Sequence, residues 1–324
     1  MALADEGRLL SVEIERTAST HLVGNIYKGQ VQNVLPGMQA AFVDIGAEKN
    51  AFMYIGDGLP HDAIKALPQT QRVHIGQQIP VQIIKDAIGS KGPRATTHIS
   101  LPGRNVVLMP TAAYIGMSRR IDDESERSRL HAIAEKICPK GMGLIIRTVA
   151  MGLSEEALTE DVHYLVKLWQ SILARFRLKS KGSALLYRDA DLIVRIVRDC
   201  LTDAIDEMLI DDGNVCRLVR ELVQYISPQL VERIRFYEDK TPLFKQYGIE
   251  EELEKLGARE VELKSGGFLV IDKTEALTVI DVNTGKYVGR TNLGDTVYQT
   301  NLEAAETILR QIRLRDIGGI ILVD

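Results

Sequence analysis

Hydrophobic residues recur at two different spacings along the chain, and the change between them separates its parts. From Gly24 to Leu101, short apolar runs alternate residue by residue with polar positions and are separated by glycine-containing turns. A period of two is typical of strands with one buried face. Five such strands in about eighty residues predict a small closed barrel.

Apolar positions at helical spacing follow. A polar helix is predicted near Glu124 to Ile137, and a longer helix begins after Ser154 as its N-cap. The long helix carries one apolar stripe, formed by Leu158, Val162, Leu165, Trp169, Ile172 and Phe176. Further along, the pattern predicts a strand at 191–197 and helices near 199–209, 214–226 and 250–256.

The last seventy or so residues predict a sheet with a crossover helix. A hairpin turns at Ser265 to Gly267, and a third strand ends at Asp281. A helix from about Thr300 to Leu314 then leads to a final apolar run at 320–323, and the stripe predicted to face the sheet is Leu302, Ala305, Ile308, Leu309 and Ile312. Strand, helix and strand of this length form a parallel crossover, and the continuous apolar runs predict two strands buried on both faces.

Asp281 and Asp324 each follow one of these runs, so both are expected at the carboxyl ends of neighbouring parallel strands. Asn283 points to the same side as Asp281 if the strand continues that far. Two converging carboxylates repel each other unless a cation lies between them, and oxygen ligands favour magnesium or manganese. The structural alternative is that one aspartate caps a turn while the other makes a salt bridge.

Strand alternation places Phe42 and Phe52 on the outer face of the predicted barrel, near Lys28 and Lys91. Two outward rings beside cations are typical of a base-stacking platform for single-stranded nucleic acid. The alternative is that both rings cover a domain interface. The turn that contains Lys91 is either an RNA-facing loop or a solvated hairpin tip.

Arg147 lies inside an otherwise apolar strand predicted over 143–150, next to Thr148. A half-buried guanidinium requires a carboxylate or phosphate partner, and a neighbouring hydroxyl would complete an anion-binding pair. Strict alternation sends the two side chains to opposite faces, so a joint role requires a bulge or a strand end. An internal ion pair is the alternative.

Composition narrows the class of protein. The chain has 45% hydrophobic and 26% charged residues and a formal net charge of −4, which excludes a disordered chain and a uniformly basic coat. No stretch reaches the length of a membrane span, and the N-terminus lacks the order of a secretory signal, so a cytoplasmic protein is expected. The three cysteines have no Cys-x-x-Cys spacing, which argues against a disulfide framework or a cysteine zinc site.

Five sequence motifs together resemble the bacterial ribonuclease E/G family: NIYKG, QAAFVDIG, GLIIRT, EALTVIDVN and TNLEAAETILRQIRLRDIGGIILVD. The resemblance runs in order over essentially the whole chain. It implies a magnesium-dependent endoribonuclease (manganese is the alternative metal) that cuts single-stranded RNA. It also implies a preference for a 5′ monophosphate, hydrolysis that leaves a 5′ phosphate and a 3′ hydroxyl, and roles in rRNA processing and mRNA decay.

The resemblance also assigns roles to residues. Asp281 and Asp324 match the metal-binding catalytic aspartates, and Asn283 matches the asparagine that supports them. Residues matching the 5′-phosphate sensor are Arg147, Thr148 and Val107; those matching the RNA contacts of the barrel are Phe42, Phe52 and Lys91.

The fold implied is mixed α/β with several subdomains. It is an RNase H-like part (1–22 and 193–257) with an inserted OB-fold barrel (23–103), a 5′-sensor subdomain (104–192) and a DNase I-like catalytic subdomain (258–324).

Two departures from the family pattern modify these expectations. The chain starts about fifteen residues later than family members do, and it stops at the second catalytic aspartate. We therefore expect a truncated catalytic subdomain with impaired activity, no structural zinc, and a monomer where the parent is a homo-oligomer. Two other functions remain open: a non-catalytic module that binds single-stranded RNA, and an unrelated doubly wound phosphotransfer enzyme with a purely structural barrel.

Overall fold

The computed structural model describes residues 1–15, 22–55, 73–87, 91–178, 182–284 and 293–324. The chain divides into two compact units. The first comprises Thr17–Met208 and Asn214–Ile234, and the second comprises Met1–Arg16, Leu209–Gly213 and Arg235–Asp324. The bounds of the four subdomains remain a prediction. Within the described ranges, no helix is both long and apolar enough to cross a membrane.

The described strands and helices are numbered in chain order. The strands are β1 (Ala2–Asp5), β2 (Arg8–Val12), β3 (Ile26–Leu35), β4 (Ala40–Asp44), β5 (Ala51–Tyr54), β6 (Gln78–Lys85), β7 (Arg94–Thr96), β8 (Leu101–Pro102), β9 (Val106–Met109), β10 (Ile115–Met117), β11 (Gly143–Ile146), β12 (Ala184–Tyr187), β13 (Met208–Ile210), β14 (Ile234–Phe236), β15 (Glu260–Glu262), β16 (Phe268–Lys273), β17 (Leu277–Asn283) and β18 (Ile320–Val323). The helices are α1 (Glu124–Ile137), α2 (Glu155–Arg177), α3 (Leu192–Asp199), α4 (Gly213–Ile226), α5 (Leu243–Gln246), α6 (Ile249–Lys255) and α7 (Leu293–Leu314).

Five strands of the first unit close into the predicted barrel. Their order is β3-β4-β5-β7-β6, and the pairing of β3 with β6 completes the ring. The inward positions of these strands are apolar and buried, as in Val31, Val43, Met53 and Val81. Alternation of small and β-branched residues therefore builds the barrel core, and β12 adds to its outside by pairing with β3.

Also in the first unit, α1 and α2 pack against a four-stranded sheet of order β10-β11-β9-β8. Helix α2 begins where predicted, since Ser154 Oγ accepts a hydrogen bond from the N–H of Ala157. Its apolar stripe is buried, including Trp169, up to Phe176, which is half-buried and packs against the same core. The sequence pattern therefore predicted this helix and its buried face correctly.

Two elements predicted for residues 191–209 are wrong. The apolar run at 191–197 forms helix α3 rather than a strand, because its buried positions, Ile196 and Val197, lie four residues after the half-buried Leu192 and Ile193. The β-branched content of this run favours a strand, but helical burial overrides that preference. Residues 200–207 contain no helix, and the chain enters β13 at Met208.

In the second unit, β15, β16, β17 and β18 form one sheet in that order, with β17 and β18 parallel. Helix α7 connects these two strands, as the crossover pattern predicted, but it begins at Leu293 rather than near Thr300. A small apolar core lies between helix and sheet and includes Leu269, Ile280 and Ile308.

Two burial predictions for this unit are wrong. Helix α7 turns Ala304, Ile308 and Gln311 inward, whereas Leu302 and Leu309, part of the predicted stripe, are exposed, as is Ala305. Strand β18 was predicted to be buried on both faces, yet most of its side chains are exposed. In the described sheet it is the outermost strand and pairs with β17 alone.

Candidate functional site

Asp281 and Asp324 lie side by side at one end of the β17–β18 ladder. The backbone N–H of Asp324 donates to the carbonyl of Ile280 at 2.9 Å, and the N–H of Val282 donates to the carbonyl of Asp324 at 3.2 Å. These two bonds continue the parallel register one residue beyond Val323 and set Asp324 opposite Asp281. The carboxyl ends of the two strands therefore bring both aspartates to one sheet edge.

Asn283 is directly connected to this pair. Its Nδ2 donates to Oδ2 of Asp281 at 3.0 Å. The bond requires both side chains on the same face of β17, two residues apart, as alternation predicts. Because the amide nitrogen faces the carboxylate, the amide oxygen of Asn283 remains on the opposite side of the group and is available as an acceptor.

The donor set at this edge suits a hard cation. It offers two carboxylates and one amide, all exposed or half-buried, and no nitrogen or sulfur ligand. Magnesium is commonly held by one or two carboxylates, keeps several waters and takes its other ligands from a substrate phosphate. Across the described ranges, no group of three or more histidine, cysteine, aspartate or glutamate side chains is placed to hold a metal ion. A two-carboxylate site of the magnesium type is the one that these residues fit.

Arg147 follows β11 directly and is held by two acceptors. Its Nη1 donates to the carbonyl of Gly103 at 2.8 Å and lies 2.7 Å from Oδ1 of Asp199. The internal ion pair considered as an alternative is therefore present. The side chain nevertheless keeps 25% of its surface exposed, and both bonds use the same nitrogen. The ion pair orients the guanidinium without covering it.

Asp199 links Arg147 to a second arginine. Arg198 binds the same carboxylate through Nε at 3.0 Å and Nη2 at 2.8 Å, and its Nη1 donates to the carbonyl of Pro102 at 3.3 Å. Burial alone would raise the pKa of Asp199, but hydrogen bonds from Arg198 and Arg147 outweigh it and hold the pKa below its usual value. Two guanidiniums that share one carboxylate thus fix the successive carbonyls of Pro102 and Gly103.

The same turn is held from the other side by Asp161 of α2. Its Oδ2 accepts hydrogen bonds from the N–H groups of Asn105 at 2.8 Å and Val106 at 3.3 Å. Burial raises the pKa of Asp161, although these hydrogen bonds oppose the shift. A Cβ at residue 103 would stand 2.7 Å from Oδ1 of Asp161, so a larger residue here would displace the carboxylate that holds the turn.

Arg147 and Thr148 line one pocket of about 330 Å³, together with Ser118, Arg120, Ile145 and Ile146. They share a face because β11 ends at Ile146 and a 3-10 turn, Thr148–Ala150, follows at once. The strand end required for a joint role is therefore present. Val107 does not line the pocket; it is the strand partner of Ile145, which does.

The hydroxyl of Thr148 is positioned by Ser118. The two side-chain oxygens are 2.7 Å apart, and Ser118 Oγ also accepts from the N–H of Arg120 at 3.3 Å. Either hydroxyl can donate in this contact, because Ser118 Oγ keeps a second acceptor position. The contact holds the Thr148 hydroxyl in the pocket, which Arg147 also lines.

Phe42 and Phe52 form an aromatic pair on the outside of the barrel. They are directly opposite on β4 and β5, with ring centroids 5.7 Å apart and an interplanar angle of 69°. Tyr54 continues the row, 4.9 Å from Phe52 and nearly perpendicular to it. The rings are half-buried or exposed, which leaves aromatic surface for a ligand.

The two lysines expected beside this pair differ in position. Lys28 is only 4% exposed, and its Nζ donates to the carbonyl of Leu178 at 3.1 Å, so the prediction that it flanks the rings is wrong. Lys91 is exposed, in a turn whose Pro93 carbonyl accepts from the N–H of Phe52 at 2.8 Å. Of the two, Lys91 lies in the segment that adjoins the aromatic pair.

Several residues at these sites were not predicted as site residues. Ser118 and Asp199 give no sequence signal, because a serine in a turn and an Arg-Asp pair occur throughout protein surfaces. Arg120 and Arg94 lie near other cations in the sequence, and no motif marks either as a site residue. Tyr54 follows the outward alternation of Phe52 and could have been found from that spacing.

Comparison with known proteins gives these positions a family context. A sequence profile described as the Ribonuclease E/G family matches residues 100–324, which include Arg147, Asp281 and Asp324. The chain belongs to the ribonuclease E/G family. It is 41% identical over 333 residues to "Ribonuclease G" of Salmonella typhimurium, covering 100% of this chain and 68% of that protein.

Ribonuclease E proteins are also similar to this member of the ribonuclease E/G family. The chain is 41% identical over 309 residues to "Ribonuclease E" of Nostoc sp., covering 94% of this chain and 45% of that protein. It is 37% identical over 331 residues to "Ribonuclease E" of Haemophilus influenzae, covering 100% and 35%. The family resemblance is confirmed, and it replaces the alternative of an unrelated phosphotransfer enzyme.

Proposed function

We propose that this chain is a hydrolytic endoribonuclease of the ribonuclease E/G type that cuts single-stranded RNA, uses magnesium and prefers a 5′ monophosphate. The observation that carries the proposal is the ladder that sets Asp324 opposite Asp281, with Asn283 bonded to Asp281. Similarity to proteins named ribonuclease G and ribonuclease E supports the reaction class. The cellular roles proposed with it are rRNA processing and mRNA decay in the cytoplasm.

The two aspartates would hold the magnesium ion, and Asn283 would orient Asp281 for it. When bound, the ion supplies a water of lowered pKa and neutralises negative charge on the reacting phosphate. The amide of Asn283 restricts rotation of the Asp281 carboxylate through the 3.0 Å hydrogen bond. The exposure of this edge gives an extended RNA strand access to both carboxylates.

Recognition would use the first unit. Arg147 and Thr148 offer a cation and a hydroxyl inside one pocket, a combination that suits a terminal phosphate. Phe42 and Phe52 offer surfaces on which bases can stack, and the exposed Lys91 offers a charge for the backbone. Stacking and phosphate contacts of this kind bind single strands with little dependence on sequence.

A short A/U-rich RNA with a 5′ monophosphate and a 3′ fluorophore tests the proposal. We expect the wild-type chain to cleave it in magnesium and to bind it without cleavage in EDTA. Asp281→Asn should bind it and leave it intact. The matched control is Asp272→Asn on the neighbouring strand β16, whose carboxylate is paired with Arg259 at 2.7 Å; this variant should cleave like the wild type.

A non-catalytic RNA-binding module is the second candidate. It is favoured by one observation: Arg147, Thr148, Phe42 and Phe52 all lie in the first unit, whereas both aspartates lie in the second. In the same assay it predicts RNA binding that survives EDTA and Asp281→Asn, with no cleavage by the wild type at any enzyme concentration. Cleavage that persists in Asp281→Asn would contradict the proposed site itself.

A further inference from the structure

A row of outward residues crosses four neighbouring strands of the barrel. Phe42 on β4 is opposite Phe52 on β5, Phe52 is opposite Arg94 on β7, and Arg94 is opposite Lys85 on β6. Residues at paired positions project from the same face of a sheet. A register shift between Ile83 and Lys85 brings the lysine into the row. The barrel thus presents two aromatic rings followed by two cations in one line.

Tyr54 lies beside this row and holds Arg94 in place. The guanidinium carbon of Arg94 is 4.8 Å from the centroid of the Tyr54 ring, a cation–π distance. Tyr54 is 39% exposed, and Arg94 is half-buried. A guanidinium held over an aromatic ring has a fixed plane, and such planes stack on unpaired bases as aromatic rings do.

The ring orientations show that Tyr54 and Arg94 would bind a different base from the Phe42–Phe52 pair. Phe52 and Tyr54 are inclined at 87°, so one flat base cannot stack on both. A base on the phenylalanines and a base on Arg94 and Tyr54 would be successive nucleotides with different orientations. Lys85, opposite Arg94 and exposed, would lie where the phosphate after the second base passes.

We propose that Tyr54 and Arg94 form a second nucleotide position on the barrel, next to the Phe42–Phe52 pair and ending at Lys85. The inference rests on the proposed function, because it extends the same RNA-binding surface. The occupant is a nucleotide of a single strand, bound by stacking on the guanidinium and by charge neutralisation of its phosphate. It contributes affinity in addition to the contacts already assigned.

The turn before Arg94 supports a fixed position for this side chain. Gly92 packs so closely that a Cβ would stand 2.2 Å from the carbonyl oxygen of Asn50, and the next residue, Pro93, accepts the hydrogen bond from Phe52 N–H. The backbone that leads into β7 is therefore hydrogen-bonded to β5 at Phe52. A preorganised cation loses less conformational freedom when it binds a ligand.

The test uses 5′-hydroxyl oligouridylates of increasing length, with binding followed by fluorescence anisotropy in EDTA. The 5′-hydroxyl ends and EDTA remove contributions from the phosphate pocket and from cleavage. We expect Tyr54→Ala and Arg94→Ala each to weaken binding at least about fivefold, the lower end of what stacking of one base contributes. Tyr54→Phe should bind like the wild type, because it keeps the ring.

Charge and stacking are separated by Arg94→Lys. It should bind several-fold more weakly than the wild type with the same salt dependence, whereas Arg94→Ala should also reduce the salt slope by about 0.7. The double variant Tyr54→Ala/Arg94→Ala should lose less than the product of the two single effects, because both act on one nucleotide. Tyr164→Ala, on the exposed face of α2, is the control for loss of a surface ring.

The outcomes distinguish this inference from the proposed function. If Phe52→Ala weakens binding while the Tyr54 and Arg94 alanine variants bind like the wild type, the second position is wrong and the first stands. If Phe52→Ala has no effect either, the barrel surface is not the RNA site; the second position and the barrel contacts of the proposed function are then both wrong, whereas the aspartate site is tested separately by cleavage. Should an alanine variant fail to fold by circular dichroism, Arg94→Lys decides, since wild-type affinity in that variant overturns the stacking role.

Discussion

The Arg147 pocket and the Asp281 edge place charged groups in opposite circumstances. Arg147 is fixed by a carbonyl and a carboxylate, and that carboxylate is itself held by Arg198. Asp281 lies at an exposed sheet edge beside another aspartate, and its bond from Asn283 adds no positive charge. The cationic site is organised by its own counter-ions, whereas the anionic site is organised by the backbone ladder, and we propose that a bound metal ion supplies its counter-charge.

The largest effect on this comparison is expected from Asp281→Asn. Removing one of the two carboxylates should weaken manganese binding, used as a spectroscopic substitute for magnesium, by more than about 100-fold, since even outer-shell partners contribute 10–100-fold. Electron paramagnetic resonance of free manganese measures the change. The preference for binding 5′-monophosphate over 5′-hydroxyl RNA should stay the same.

Asp272→Asn is the control, and it should bind manganese like the wild type. Its carboxylate lies in the same sheet but is already neutralised by a bidentate contact with Arg259. Equal loss of manganese in both variants would mean that the ion binds the sheet diffusely. The distinction between a neutralised and an unneutralised carboxylate would then fail.

Arg147→Gln gives the converse result at the other site. It should reduce the preference for 5′-monophosphate over 5′-hydroxyl RNA by about 10- to 100-fold, the range for loss of hydrogen bonds to a charged group. Manganese binding should not change. Competition binding with the two RNAs measures the preference, and Arg129→Gln, which loses only an exposed pair with Glu126, is the control. An unchanged preference would remove Arg147 from the phosphate site.

Asn283→Ala tests how far the backbone ladder alone organises the aspartates. Without the amide, the Asp281 carboxylate rotates more freely, and manganese affinity should fall about tenfold, the low end for an outer-shell partner. Asn283→Asp adds a third carboxylate and should raise affinity for the ion instead. If alanine binds manganese like the wild type, the ladder is sufficient and Asn283 has another role.

The parts of the fold that follow from local pattern were predictable from the sequence. Alternation along β4 and β5 gives the barrel and the outward Phe42 and Phe52, and the crossover pattern places Asp281 at a strand end. The face of helix α7 was not predictable in this way. Leu302 and Leu309 are as apolar as Ile308, and packing against the sheet selects among them. Local periodicity specifies that a helix is amphipathic, but tertiary contacts select the face.

Long-range polar partners were equally beyond the sequence. Asp199 lies fifty-two residues after Arg147. It ends helix α3, whose β-branched residues led to the prediction of a strand. Lys28 was predicted to be a surface cation, yet it is buried and contacts the ring of Phe176 in α2 and the carbonyl of Leu178. Nothing in the spacing of a single charge shows which distant acceptor it meets. The sequence therefore predicts the chemistry of a site more readily than the network that orients it.

The smallest expected effect concerns that network and depends on pH. The pKa of Asp199 is held below its unfolded value of about 3.9, so its bonds to Arg198 and Arg147 stabilise the fold above that pH. This stability is lost as the pH falls through the lower pKa of the folded state. At pH 7, Asp199→Asn should lower the free energy of unfolding by about 1 kcal/mol, a modest value because the carboxylate is one-third exposed.

Urea unfolding from pH 6 down to pH 3 measures the pH dependence of this effect. The gap between wild type and Asp199→Asn should narrow below about pH 4 as the wild-type carboxyl becomes protonated. The pKa of Asp161 is raised, so this group changes the pH dependence of stability in the opposite direction. Because Asp161 is present in both proteins, the difference in unfolding free energy between them reports on Asp199. Asp122→Asn is the surface control. A gap that stays constant with pH would show that Asp199 acts by packing rather than by charge, and the Arg147 pocket would then not be organised by its counter-ion.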